Sequence, residues 1–97
     1  MAFLTIHHLP GDAATLQARK QDKFDPVIRP LARKHGAILS LTAATDDGLL
    51  VINLWETPDG AAKLREEPDA LHAQQQAQLP PPSQFNSYHD VQLDEFR

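Results

Sequence analysis

Three observations predict an α+β domain with the element order β-α-β-β-α-β. The first is a mid-chain pair of apolar runs, Ala37 to Ala43 and Leu49 to Trp55, separated by Thr45-Asp46-Asp47-Gly48. Asp-Gly between two such runs is a strong hairpin signal, because glycine accepts the positive φ that a primed turn demands. The second is charge-studded, helix-periodic sequence on both sides of that hairpin. The third is an alternating, strand-like segment near each end of the chain.

Ala2 to Leu9 reads as the first strand, rich in β-branched and aromatic residues and ended by Pro10-Gly11. Phe3, Thr5 and His7 share one face of it, and Leu4, Ile6 and His8 share the other. Asp12 is an N-cap for a helix from Ala13, along which Leu16, Phe24, Val27, Ile28 and Leu31 recur at helical spacing. Pro26 and Pro30 interrupt it, so a kink or break is expected there, with Asp25 as a fresh N-cap. The basic turn Arg33-Lys34-His35 and Gly36 end it. In the hairpin, Leu39, Leu41 and Ala43 alternate with Ser40 and Thr42, giving a strand with one less greasy face. The run Leu49 to Ile52 is apolar on both parities, which marks a central strand covered on both sides.

Thr57-Pro58-Asp59 starts the second helical region, carrying Ala61, Ala62 and Leu64 until Pro68 breaks it. Pro68-Asp69 opens a further short helix with Leu71, His72 and Ala73 beside a Gln-rich face. Leu79-Pro80-Pro81-Pro82-Ser83 is a stiff surface connection. Phe85 to Leu93 alternates again as the last strand, and Asp94 to Arg97 is a tail ordered in part at best. Right-handed crossovers around a central hairpin give a ferredoxin-like split βαβ sheet, with the first and third strands in the middle and helices on one face. The other face then needs a cover, and a second copy of the chain is the simplest one.

Ninety-seven residues make one domain, 1–97, with one modest core, so a homodimer is a plausible source of further stability. A net charge of −4 and a pI near 5.6 argue against nucleic acid as a partner, since no basic stripe is present. The absence of cysteine excludes disulfides and thiolate chemistry. No apolar run approaches the ~20 residues of a membrane span. The N-terminus also lacks a secretory pattern, so a cytoplasmic protein is expected.

The run Gly48-Leu49-Leu50-Val51-Ile52-Asn53-Leu54-Trp55-Glu56-Thr57 and the Pro68-to-His72 segment resemble the dimeric α/β barrel superfamily. Within it, the similarity is to the antibiotic-biosynthesis-monooxygenase-like proteins. Asp25-Pro26-Val27 leading to Lys34-His35-Gly36-Ala37 looks like the end of the first helix in small actinobacterial-type members. The resemblance covers nearly the whole chain and implies a homodimer with a pocket between helices and sheet in each subunit. It also implies cofactor-independent oxygenation, cyclisation or isomerisation of a small aromatic or polyketide-like molecule.

Five histidines are the most suggestive chemistry-bearing feature, because imidazole is a general base near neutral pH. His7 and His8 on the first strand face the last strand, which carries His89, so one of the pair is expected to approach His89 across the sheet. The plainer reading is a set of strand-end residues bonded to backbone or water. His72 resembles the iron-ligating helix histidine of haem-degrading relatives. Those enzymes also use a strand Asn and a helix Trp, for which this chain has His7 or His8 and a position near Leu64. No cofactor is therefore expected, and binding of haem or a hydrophobic metabolite by a non-catalytic dimer is the rival reading.

Asn53 interrupts an apolar strand and could hold an oxyanion or merely bond a neighbouring strand. Trp55 reads as a packing or ligand-contact aromatic, and Tyr88 and Arg29 are within plausible reach of a pocket. The candidate catalytic residues are thus His7, His89, Asn53 and His72. Candidate substrate contacts are His8, Trp55, Tyr88 and Phe24. No metal site is expected, since no pair of ligands has a dedicated spacing.

Overall fold

Four alternating segments pair into one antiparallel sheet in the computed structural model, which describes residues 2–96. The strands are β1 (Ala2–Pro10), β2 (Ala37–Thr45), β3 (Gly48–Trp55) and β4 (Gln84–Val91), in the order β2-β3-β1-β4. Between β1 and β2 run α1 (Ala13–Arg19), a π-helical turn at Lys20–Phe24, and α2 (Asp25–Lys34). Between β3 and β4 run α3 (Pro58–Glu66) and α4 (Pro68–Gln76). This is the predicted ferredoxin-like α+β arrangement, with β1 and β3 central. Among the described residues no helix is long and apolar enough to cross a membrane.

Several local expectations need correction. The chain does not break at Pro26. Pro26 has no N–H for the carbonyl of Asp22. The turn before it widens to π spacing, with the Asp25 N–H donating to the Lys20 carbonyl. Asp25 consequently caps nothing, and its carboxylate accepts instead from Lys20 Nζ at 2.9 Å. At the hairpin, Asp46 and Asp47 keep negative φ, so the turn is not a primed one. Gly48 is required for a different reason: a Cβ there would collide with the Leu9 carbonyl of β1. β4 ends at Val91 rather than Leu93: it bulges around Asp90, whose φ is 55°, and Val91 pairs with Ala2, where β1 begins. Arg97, the end of the expected tail, lies outside the described residues.

Other signals hold. Asp12 caps α1, accepting from the Thr15 N–H at 3.0 Å and its hydroxyl at 2.8 Å. Pro68 separates α3 from α4, with Glu67 extended between them. At the far end of α2, Glu67 also accepts from Lys34 and bonds His35 at 2.8 Å, tying the two helical layers together. The Glu67 carboxyl is held below its ordinary value by the His35 hydrogen bond first and Lys34 second.

The core is not continuous. One cluster joins Leu9, Leu49 and Val51 of the sheet to Leu16 of α1, with Ala13 and Leu79 against it. The other joins Phe3 and Trp55 to Ala61 of α3, with Ala32, Ala37 and Leu64 packed around them. What lies between these two clusters decides where a ligand can go.

Candidate functional site

Strand register defines the ground between the clusters. On the helix-facing side, one row across the sheet reads Thr42, Val51, His7, Phe85. The next reads Ser40, Asn53, Thr5, Ser87, and the third brings Ala37, Trp55 and Phe3 together. Side chains of one parity point to one face, so the two middle rows put hydroxyls, an imidazole and an amide beneath the helices. A core would ordinarily fill that ground with aliphatic residues. Here it floors a cavity of about 830 Å³, walled by the π-helical turn, α2, α3, α4 and the Pro80–Pro82 connection. That volume lies within the range of small-molecule sites.

His7 stands half-buried on this floor, its ring edge-on to Phe85 with centroids 4.8 Å apart. The Arg65 guanidinium of α3 lies 5.9 Å from the centre of the same phenyl ring. Burial, and then the Arg65 charge, lower the pKa of His7 below its ordinary value. The imidazole is therefore neutral at pH 7 and has a free lone pair for a proton. Asn53 lies diagonally across from His7, one row away, at a separation of roughly 7–8 Å for such neighbours. The Ser40 hydroxyl donates to Asn53 Oδ1 at 2.7 Å, which leaves the amide N–H groups available to a ligand oxygen. Trp55 is buried, and its Nε1 donates to the Thr5 hydroxyl at 3.4 Å.

The helical wall is polar at one place. Lys20 is only 7% exposed and pairs with Asp25 across the π-helical turn. Gln17, three residues earlier, also lines the cavity, and its Oε1 is buried without a hydrogen-bond partner. None of these three was named from the sequence as a site residue; Asp25 was read only as a helix cap. One signal was present: Leu16, Lys20 and Phe24 follow at intervals of four, so Lys20 occupies the inward stripe where an apolar residue belongs.

Of the residues predicted from sequence, His7, Asn53, Trp55 and Phe24 line the cavity together. The other four do not. His89 does not meet His7 or His8, because antiparallel pairing sets the end of β4 against the start of β1; His89 packs on Phe3 at 5.0 Å instead. His72 is exposed on α4, although its neighbour Leu71 faces the cavity. Tyr88 and His8 belong to the opposite face of the sheet. His8 bonds the Ser83 hydroxyl at 2.9 Å through Nδ1, and Asp47 at 3.0 Å through Nε2. This Ser-His-Asp series lies outside the cavity lining and fastens the Pro-rich connection and the hairpin turn to β1. The Thr45 hydroxyl first, then His8, hold the Asp47 carboxyl below its ordinary value.

No family model and no curated protein matches this sequence. Solved structures do. A protein from Chloroflexus aurantiacus named after the antibiotic biosynthesis monooxygenases superposes with a TM-score of 0.67 at 11% identity, over 98% of both chains. The fold is theirs. A Mycobacterium tuberculosis protein matches with a TM-score of 0.65 at 17% identity, again over 98% of both chains. SnoaB of Streptomyces nogalater, described as a cofactor-independent oxygenase, matches with a TM-score of 0.64 at 12% identity, over 95% of this chain and 93% of its own. At these identities the likeness is one of fold, and the chemistry must come from the site itself.

Proposed function

We propose that this protein is a homodimeric, cofactor-independent oxygenase of a small aromatic or polyketide-like molecule. The observation that carries the reading is the polar floor of the cavity, with a neutral His7 and the oriented amide of Asn53 one row apart. Similarity of fold to a protein described as a cofactor-independent oxygenase supports it.

The chemistry follows from those two groups. His7 takes the proton of a phenolic or enolic hydroxyl, and the Asn53 N–H groups hold the developing oxyanion. The electron-rich ring carbon then gives its electrons to dioxygen, forming a carbon–oxygen bond and a peroxide anion. The His7 imidazolium returns its proton to that peroxide, and loss of water leaves a quinone. One oxygen atom enters the product and the other leaves as water, so a phenol and one dioxygen give one quinone and one water. Trp55, Phe24 and the aliphatic lining keep bulk water from the carbanion.

Subunit pairing is part of the proposal. On the side without helices, the register lines up Leu39, Leu54, Leu4, Tyr88 and then Leu41, Ile52, Ile6. Leu41 is 59% and Tyr88 48% exposed, an apolar surface that a second copy would cover. His72, the residue that resembles a haem ligand, is exposed and outside the cavity lining, which favours the cofactor-independent reading.

Dihydroxynaphthalenes in aerated buffer with a chelator test the reading. Oxygen uptake should match quinone formation one to one. His7→Ala should lower turnover by about 10²–10⁴ while circular dichroism stays native. Binding without turnover would mean a metabolite carrier, and unchanged turnover in His7→Ala would remove His7 from the mechanism.

A further inference from the structure

Charge is spread unevenly over this protein. The chain carries 13 Asp and Glu against 9 Lys and Arg. Yet the cavity wall holds four cations, Lys20, Arg29, Arg33 and Arg65, against the single carboxylate of Asp25. The three arginines are exposed at the rim, where they raise the local concentration of anions and guide them in. Lys20 is different, because its stem and ammonium are buried in the wall. An ammonium has three donors, and Asp25 accepts one of them at 2.9 Å. A buried cation needs more than one partner to offset its lost hydration. Beside it on the same helical face sits Gln17, whose buried Oε1 lacks a donor. Together they set unused donors next to an unused acceptor in the wall of the cavity.

We propose that the cavity selects aromatic molecules bearing an ionised oxygen, which Lys20 binds while Gln17 Oε1 accepts from an adjacent hydroxyl. This rests on the reading of the cavity as a substrate site, and it names the substrate class. The π-helical turn is what makes this arrangement. Its wider ladder places Lys20 and Asp25, five residues apart, on one side of the helix, so the carboxylate steadies the ammonium without neutralising the wall. An aryl anion held there lies against the helical wall with its ring over the floor that carries His7 and Asn53.

Calorimetry with 1-naphthoate and its neutral isostere 1-naphthamide tests this on the intact protein. Naphthoate should bind at least about tenfold more tightly, the lower end of what a hydrogen bond to a charged group contributes. The preference should vanish or reverse in Lys20→Met, which leaves Asp25 alone in the wall. It should grow in Asp25→Asn, which returns a donor of Lys20 to the ligand and keeps the side-chain volume. Asp25→Asn also guards against a Lys20→Met protein that fails to fold. 1-Naphthol, titrated through its own ionisation, identifies the accepted oxygen: tighter binding of the ionised form means a phenolate is taken, and unchanged binding restricts the site to carboxylates. Equal affinities for naphthoate and naphthamide, or a preference that survives Lys20→Met, would overturn the proposal and leave the oxygenase reading intact. No binding of either probe would remove the cavity as an aryl site, and both readings with it.

Discussion

Across the middle of the sheet, the two faces partly exchange their usual characters. Beneath the helices, where a core belongs, the middle rows carry Thr5, His7, Ser40, Thr42 and Asn53. On the side without helices, where water is expected, stand Leu4, Ile6, Leu41, Leu50, Ile52 and Tyr88. A sheet covered on one side normally puts its apolar residues under the cover. On the proposed reading each face serves something other than the packing of one chain: the covered face keeps room for a polar-aromatic ligand, and the bare face would take a second copy. Within the chain, the buried apolar packing lies in the two clusters at the ends of the covered face.

The largest expected effect comes from charging the bare face. Ile52→Glu stands at its centre, and an unpaired carboxylate buried between copies should cost on the order of 3–5 kcal/mol of assembly. Sedimentation should show a monomer for the variant and a dimer for the parent protein. A dimer that persists would mean that subunits meet elsewhere. Next in size is the contrast between adjacent histidines of opposite faces. His8→Ala should leave turnover within a few-fold while lowering stability by about 1 kcal/mol, through its lost bonds to Ser83 and Asp47. If His8→Ala loses as much turnover as His7→Ala, the division between the faces fails.

Making the covered face conventional should separate stability from function. Asn53→Leu adds apolar area beside Trp55 and Val51 and should raise stability by roughly 1 kcal/mol. The same change removes the proposed oxyanion donor and should lower turnover by about 10²-fold. Denaturant melts and oxygen uptake on one preparation decide this, and a destabilised variant would mean that Asn53 is structural. The smallest effect is on pH dependence. The folded pKa of His7 lies below the ordinary value of 6.5, so its contribution to stability is present above that value. It is lost as pH falls through the lower folded value, and turnover should fall over the same interval as the base becomes protonated. Arg65→Gln removes the second cause of the shift, so the acid limb should move to higher pH. A limb that does not move would detach Arg65 from His7.

Much of the fold was legible because its signals are local. Asp12, Thr57-Pro58, Gly36 and Pro68 each act within a few residues of themselves and mark a boundary, and alternation marks the strands to within two residues. The π-helical turn was not, since a proline's missing donor can be met by a break or by a wider ladder, and the sequence contains both solutions. Half of the residues named from parity and residue type line the cavity: His7, Asn53, Trp55 and Phe24. His89 was misplaced because direction of pairing, not membership of neighbouring strands, decides which ends meet. The less greasy parity of β2 was visible in Ser40 and Thr42, but which parity faces the helices depends on a balance between two covers, and on the proposed reading one of them is another chain. Lys20 was overlooked because a lone lysine in a helix is ordinarily a solvated one.

A crystal structure of the protein grown without oxygen in the presence of 1,8-dihydroxynaphthalene tests the exchange of faces most directly. The account predicts the ring between the two core clusters, one oxygen within hydrogen-bond distance of His7 and Asn53, and a two-fold partner over Leu41, Ile52 and Tyr88. Middle rows packed shut by the helices, with the ligand elsewhere and the Leu41 face in solvent, would contradict it.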